Sequence, residues 1–146
     1  MKFLTIFLLS ALVMASSGWG TNFEEAKKVA KKEHKFVILN FSGSDWCGPC
    51  IRLRKEIFES SDFTQLSDEK LVLVNADFPR QKKNQLDKEL QKSNDKLADK
   101  YNPNGIFPLT LLLTAEGKLV KEWEGYPEKG KDNFILEIHN AVNAIN

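Results

Sequence analysis

One run of this chain leaves little freedom in its fold. Phe36-Val37-Ile38-Leu39-Asn40-Phe41 is apolar at almost every position, and the turn Ser42-Gly43-Ser44-Asp45 carries it straight into Trp46-Cys47-Gly48-Pro49-Cys50. A strand without polar alternation must be covered on both faces, which demands a central place in an α/β sheet. The turn is built of loop-forming residues, and Pro49 suits the first turn of a helix, where its missing N–H has no intrahelical partner to lose. Both of the chain's cysteines therefore open a helix at the C-terminal end of a buried strand. In open α/β sheets that end is where loops meet helix N-termini and reactive groups collect.

The spacing carries chemistry. Cysteines at i and i+3 in a first helical turn lie close enough to close a disulfide without moving the backbone. Cys47, at or beside the N-cap, meets unpaired N–H groups and the positive end of the macrodipole, which favour its thiolate. It is the expected nucleophile, and Cys50, one turn further in, the expected resolving thiol. Gly48 lets a partner backbone approach. Three blander readings compete. A structural staple gains little from so short a loop. A zinc half-site would need His34 and His139, neither at ligand spacing. An inert buried pair conflicts with the flanking loop residues, which would leave Cys47 near solvent. No metal and no cofactor beyond the Cys47–Cys50 pair is expected.

Lys2, the apolar run from Phe3 to Ala15 and the small residues after it have the form of a signal peptide over residues 1–20, cut near 15–20. The apolar core is short for a bilayer span. Export, with the periplasm as the compartment and general secretion as the alternative, leaves residues 21–146 as a single domain. Because oxidising compartments favour structural disulfides and this chain devotes no other cysteine to them, its thiols are read as exchange groups. A net charge of +1, from 21 basic and 20 acidic side chains, argues against nucleic acid as a partner.

Thr21-Asn22-Phe23-Glu24 has capping-box spacing ahead of a helix to about His34 with Phe23, Ala26 and Ala30 on one face. After the cysteines, Ile51, Leu53, Ile57 and Phe58 continue an apolar helical face. Leu71–Ala76 and Leu109–Leu113 read as further buried strands. Thr114–Lys118 is a hairpin turn with Gly117 left-handed, leading to an edge strand over Leu119–Trp123. Phe134, Ile138, Ala141 and Ile145, with Ile135 and Val142 beside them, mark a terminal helix. The expected order is α-β-α-β-α-β-β-α. The charged stretch 78–100 reads as one or two exposed helices, broken at Ser93-Asn94, either as a solvated excursion or as a partner-contacting lobe.

Trp46-Cys47-Gly48-Pro49-Cys50 between strand and helix, with Phe107-Pro108 before a later apolar strand and a β-hairpin-helix ending, resembles the thioredoxin superfamily. The longer lead-in and the insertion are most similar to its exported bacterial members. The resemblance implies a central mixed sheet of about four strands flanked by helices, with the helical insertion before the cis-proline strand. It makes Pro108 that cis-proline, with Phe107, Trp46, Gly48 and Pro49 as the substrate-docking surface, and Gly125 the family's glycine after the last strand. Two departures stand out. A buried acid in front of the active loop is replaced by Asn40, and a neighbouring lysine position by Leu73, so both halves of a charge pair are missing together. Asp45, another supporting residue, reads first as a helix cap. Leu109 stands where the family has threonine.

The function implied is thiol-disulfide exchange with exported proteins, in the reducing direction because Gly-Pro is the dipeptide of reductants poised near about −270 mV. A reductant in an oxidising compartment implies a membrane-embedded thiol reductase as electron donor. An oxidase or isomerase, or a non-catalytic binding module using the Phe107-Pro108 groove, are the alternatives.

Overall fold

A computed structural model describes residues 18–145, so the expected leader lies almost wholly outside the described residues. The elements in order are α1 (Phe23–Glu33), β1 (Phe36–Ser42), α2 (Gly48–Leu53) running on through a π-helical turn (Arg54–Phe58), α3 (Ser61–Lys70) and β2 (Leu71–Asp77). A 3₁₀ turn (Lys82–Asn84), α4 (Lys88–Tyr101), β3 (Leu109–Leu113), β4 (Leu119–Glu124) and α5 (Gly130–Ile145) complete the chain. Four strands form one mixed sheet in the order β2-β1-β3-β4, with β2 parallel to β1 and the rest antiparallel. The fold is the expected thioredoxin fold.

Alternation along β1 distributes the core. Phe36 and Ile38 pack with Leu53, Ile57, Phe63 and Phe134 on one face, while Val37, Leu39 and Phe41 pack with Phe23, Ala30 and Leu97 on the other. Every β1 residue is buried, as a central strand between two helical layers must be. The same alternation has a consequence further along. Positions 40 and 42 of β1, and 75 and 77 of β2, point to the face covered by α2, and there the side chains change to Asn40, Ser42, Asn75 and Asp77.

Several elements differ from expectation. The helix after the cysteines does not run on as one α-helix. Its π turn brings Ile57 and Phe58 both into the core, and Ser60 then caps a separate α3, accepting from Phe63 N at 3.3 Å, which makes one helix more than expected. Asn22 rather than Thr21 caps α1, its Oδ1 accepting from Glu25 N at 3.0 Å. β2 is an edge strand in which Leu71, Leu73, Val74 and Ala76 are buried and Val72, Asn75 and Asp77 only half-buried; Gly20 pairs with its free edge, donating to Leu73 O and accepting from Asn75 N at 2.9 Å each. Trp19 packs on Phe58 and Phe63, so the folded unit extends two residues upstream of the expected boundary at 21. α4 is unbroken through Ser93-Asn94, because Asn94 is buried and donates to Asp77 O at 3.0 Å. On α5 the buried line is Phe134, Ile138 and Val142, and Ile145 is exposed. Gly117 is left-handed as expected (φ 86°).

A surface cluster braces α2 against the segment after β4. Arg52 Nε donates to both Glu56 oxygens at 3.0 and 3.1 Å, Tyr126 Oη donates to Glu56 Oε2 at 2.5 Å, and the Arg52 guanidinium lies 4.0 Å from the Tyr126 ring centroid. The Tyr126 hydroxyl first, and Arg52 next, hold the Glu56 carboxyl below its ordinary range. A carboxyl with a depressed folded pKa contributes stability above its unfolded pKa and loses it as pH falls through the folded value. Glu56→Gln is therefore expected to lower Tm by about 1–3 °C at pH 7, a deficit that shrinks only once pH falls below the ordinary carboxylate range, toward about pH 2. Thermal unfolding at both pH values checks it, and an equal deficit at each would refute it.

Candidate active site

Cys47 and Cys50 are joined in a disulfide with Cα atoms 5.2 Å apart. Cys47 is the N-cap of α2, in extended conformation, and its Sγ accepts the Cys50 N–H at 3.2 Å. A thiolate there would keep that donor and the macrodipole behind it. Pro49 occupies the first turn. The expectation that Cys47 lies near solvent does not hold for its own atoms: Cys47 and Cys50 are each 5% exposed, and it is Gly48 and Pro49 between them that are open. What distinguishes the sulfurs is their surroundings. Cys50 lines a cavity of about 180 Å³ with Asn40, Asn75, Ser42, Ser44 and Arg54, room for several waters at about 30 Å³ each.

The polar ends of β1 and β2 form the floor of that cavity. Thr110 Oγ1 donates to Asn40 Oδ1 at 3.0 Å, Asn40 Nδ2 to Asn75 Oδ1 at 3.0 Å, and Ser42 Oγ to Asn75 Oδ1 at 3.1 Å and Asp77 Oδ1 at 3.2 Å. Asp77 also receives Ser44 N at 2.9 Å and Ser44 Oγ at 2.5 Å. The strand register pairs Asn40 with Asn75 and Ile38 with Leu73. The residue beside Asn40 is thus Asn75 and not Leu73, and a neutral amide pair fills the place of the missing ion pair. Ser42 is the last residue of β1 rather than the first of the turn, and with Asn75 and Asp77 it carries the signal the sequence reading passes over, polar residues at every second position of otherwise apolar strands.

The rim above the disulfide is aromatic. Phe107-Pro108 is a cis peptide, Pro108 is buried, and Phe107 and Trp46 are half-buried, their rings meeting edge-on at 5.5 Å. Gly125, at φ 73°, donates its N–H to Pro108 O at 2.8 Å and so ties β4 to the same loop. The structure thus brings Phe107, with Pro108 beside it in the chain, against Trp46, the residue before Cys47.

Asp45 does not cap α2. Its carboxylate turns outward to the 80–84 segment and accepts from Arg80 N and Gln81 N at 2.9 Å each and from Asn84 Nδ2 at 3.0 Å. The Arg80 N–H first, then the Asn84 amide, hold its carboxyl below the usual range. Trp46 Nε1 donates to Phe78 O at 2.7 Å, and the Arg80 guanidinium stands 3.6 Å from the Trp46 ring centroid. The start of the charged insertion is therefore fastened to the turn that presents Cys47, and none of its residues was singled out from the sequence.

Residues 23–137 match the sequence profile of a thioredoxin-like domain. The disulfide bond reductase DsbH of Chlamydia pneumoniae is 34% identical over 121 residues, which cover 83% of this chain and 70% of that protein. The thioredoxin-related protein DsbJ of the same organism is 31% identical over 98 residues, 67% of this chain and 27% of that longer protein. A solved structure described as DsbH oxidoreductase superposes with a TM-score of 0.77 at 28% identity, covering 97% of this chain and 95% of the other.

Proposed function

The chain belongs to the thioredoxin-like family and is a thiol-disulfide oxidoreductase, and we propose that it runs as a disulfide reductase on exported proteins in the periplasm. The observation that carries the reading is the Cys47–Cys50 disulfide at the head of α2, with the Cys47 sulfur capped by the Cys50 N–H. In this reading Cys47 attacks a substrate disulfide as thiolate. Cys50 then attacks the Cys47 sulfur of the mixed disulfide and releases the reduced substrate, so two electrons and two protons pass from the protein dithiol to the substrate. The substrate chain lies along Trp46, Gly48, Pro49, Phe107 and Pro108. Among the described residues the Phe107 backbone N–H and C=O are without a hydrogen-bond partner outside the sheet, which suits them to an added strand.

The reducing direction is supported by the Gly48-Pro49 dipeptide and by the likeness to a protein named disulfide bond reductase. The periplasmic location is supported by the basic and apolar N-terminal run. Processing upstream of Trp19 fits its packing on Phe58. Electrons would come from a membrane-embedded thiol reductase, placing the protein in a disulfide relay.

The test is the reduction potential of the Cys47–Cys50 pair, read by Trp46 fluorescence in glutathione or dithiothreitol buffers. A value at or below about −230 mV is expected, and one above about −180 mV would make the protein an oxidant or isomerase.

A further inference from the structure

The insertion that begins at Phe78 places a fixed positive charge at the lip of the redox site. Three observations define it. Asp45, two residues before Cys47, gathers two backbone N–H groups and one side-chain amide of residues 80–84, and Gln81 Nε2 returns a bond to Asp45 O at 3.2 Å. The Arg80 guanidinium is held at 3.6 Å from the centroid of the Trp46 ring, whose indole N–H is itself fastened to Phe78 O. Arg80, Lys82 and Lys83 are all exposed, and none of the ion pairs among the described residues involves them. The carboxylate that anchors this segment, Asp45, is taken up by two of its backbone N–H groups and the Asn84 amide.

A guanidinium stacked on an indole keeps its edge N–H donors directed outward, in the fork geometry that matches a carboxylate. It has also lost part of the rotamer freedom that weakens exposed ion pairs. The Trp46 ring it covers meets Phe107, the residue before Pro108, so a chain whose sulfur reaches Cys47 along that rim passes Arg80. Resting on the reductase reading above, we propose that Arg80 is a specificity-determining residue that selects disulfides flanked by acidic side chains, with Lys82 and Lys83 extending the attraction.

The probes are three synthetic peptides joined as intermolecular disulfide dimers, identical except for Glu, Gln or Lys on both sides of the cysteine. They are turned over by the mature protein with a chemical thiol as reductant. Wild type is expected to show a kcat/KM for the Glu peptide about ten times that for the Lys peptide, a ratio that shrinks severalfold in 0.5 M salt. Arg80→Gln is expected to bring the Glu-to-Lys ratio toward one, with any effect of uncovering Trp46 falling equally on all three peptides and so leaving the ratio as the readout. Lys82→Glu/Lys83→Glu, which leaves Trp46 covered, is expected to lower the ratio by a smaller factor. A ratio near one in wild type with the Gln peptide turned over would overturn this inference and leave the reductase standing. Failure to reduce any of the three would overturn the reductase reading and this inference with it.

Discussion

Cys47→Ser is expected to lower disulfide reduction by at least about three orders of magnitude, since no other nucleophilic sulfur faces the rim and a serine hydroxyl is not ionised near neutral pH. Cys50→Ser is expected to be comparably slow in turnover but different in kind. It should accumulate a mixed disulfide between Cys47 and the substrate, visible as a mass increase that dithiothreitol removes. Exposure does not order the two sulfurs, because both residues are 5% exposed. The asymmetry lies in what surrounds them. The Cys47 sulfur receives a backbone N–H at the head of α2, whereas Cys50 lines a cavity walled by Trp19, Ile51 and Phe58 as well as by Asn40 and Asn75, with Arg54 its one cationic lining residue. Arg54 is already paired with Glu59 at 2.6 Å. Ionisation is thus favoured at Cys47, and the roles follow from that. Mixed disulfides trapped through Cys50 in the Cys47→Ser protein would reverse the assignment.

What the sequence made legible and what it hid divide along a physical line. β1, the helix start at Cys47 and the left-handed Gly117 were readable because each is decided within a few residues, by a continuous apolar run, by Pro49 in a first turn, and by the need for positive φ. The Asn40–Asn75 pair was not, because it depends on which residue of β2 stands beside which residue of β1, and register is a tertiary outcome. Asp45 was misread for the same reason. Next to a helix start an aspartate is a good local cap, but residues 80–84, thirty-five positions on, offer it three donors while the Cys47 sulfur takes the capping N–H. The missed α3 has a capping serine and few apolar positions, so periodicity alone gave it no weight; its Phe63 and Leu66 gain their meaning from packing under Trp19 and α5.

Asn40→Asp tests how much that hidden register matters. Asn40 is 5% exposed and uses both ends of its amide, accepting from Thr110 and donating to Asn75 Oδ1. An ionised aspartate keeps the first bond and sets an anion against the Asn75 oxygen, whereas a protonated one can donate in place of the lost N–H. Burial and that hydrogen bond both favour the neutral form, so the introduced carboxyl is expected to titrate well above an ordinary aspartate. With the folded pKa raised, the variant should match wild-type stability below the unfolded pKa and lose stability as pH rises through the folded value. Each unit of that rise costs about 1.4 kcal/mol at pH 8, or roughly 5 °C in Tm, with little deficit at pH 4. The same carboxylate would share a cavity with Cys50 and could take its proton during resolution, so the rate of that step in stopped-flow exchange is expected to rise severalfold near neutral pH. A folded variant with the predicted pH-dependent Tm but an unchanged or lower rate would mean that the Cys50 proton already leaves by another route. The cavity offers one, since Ser42 and Ser44 line it and both of their hydroxyls donate to Asp77. In that case Asp77→Asn, rather than any change at position 40, should be the substitution that slows resolution.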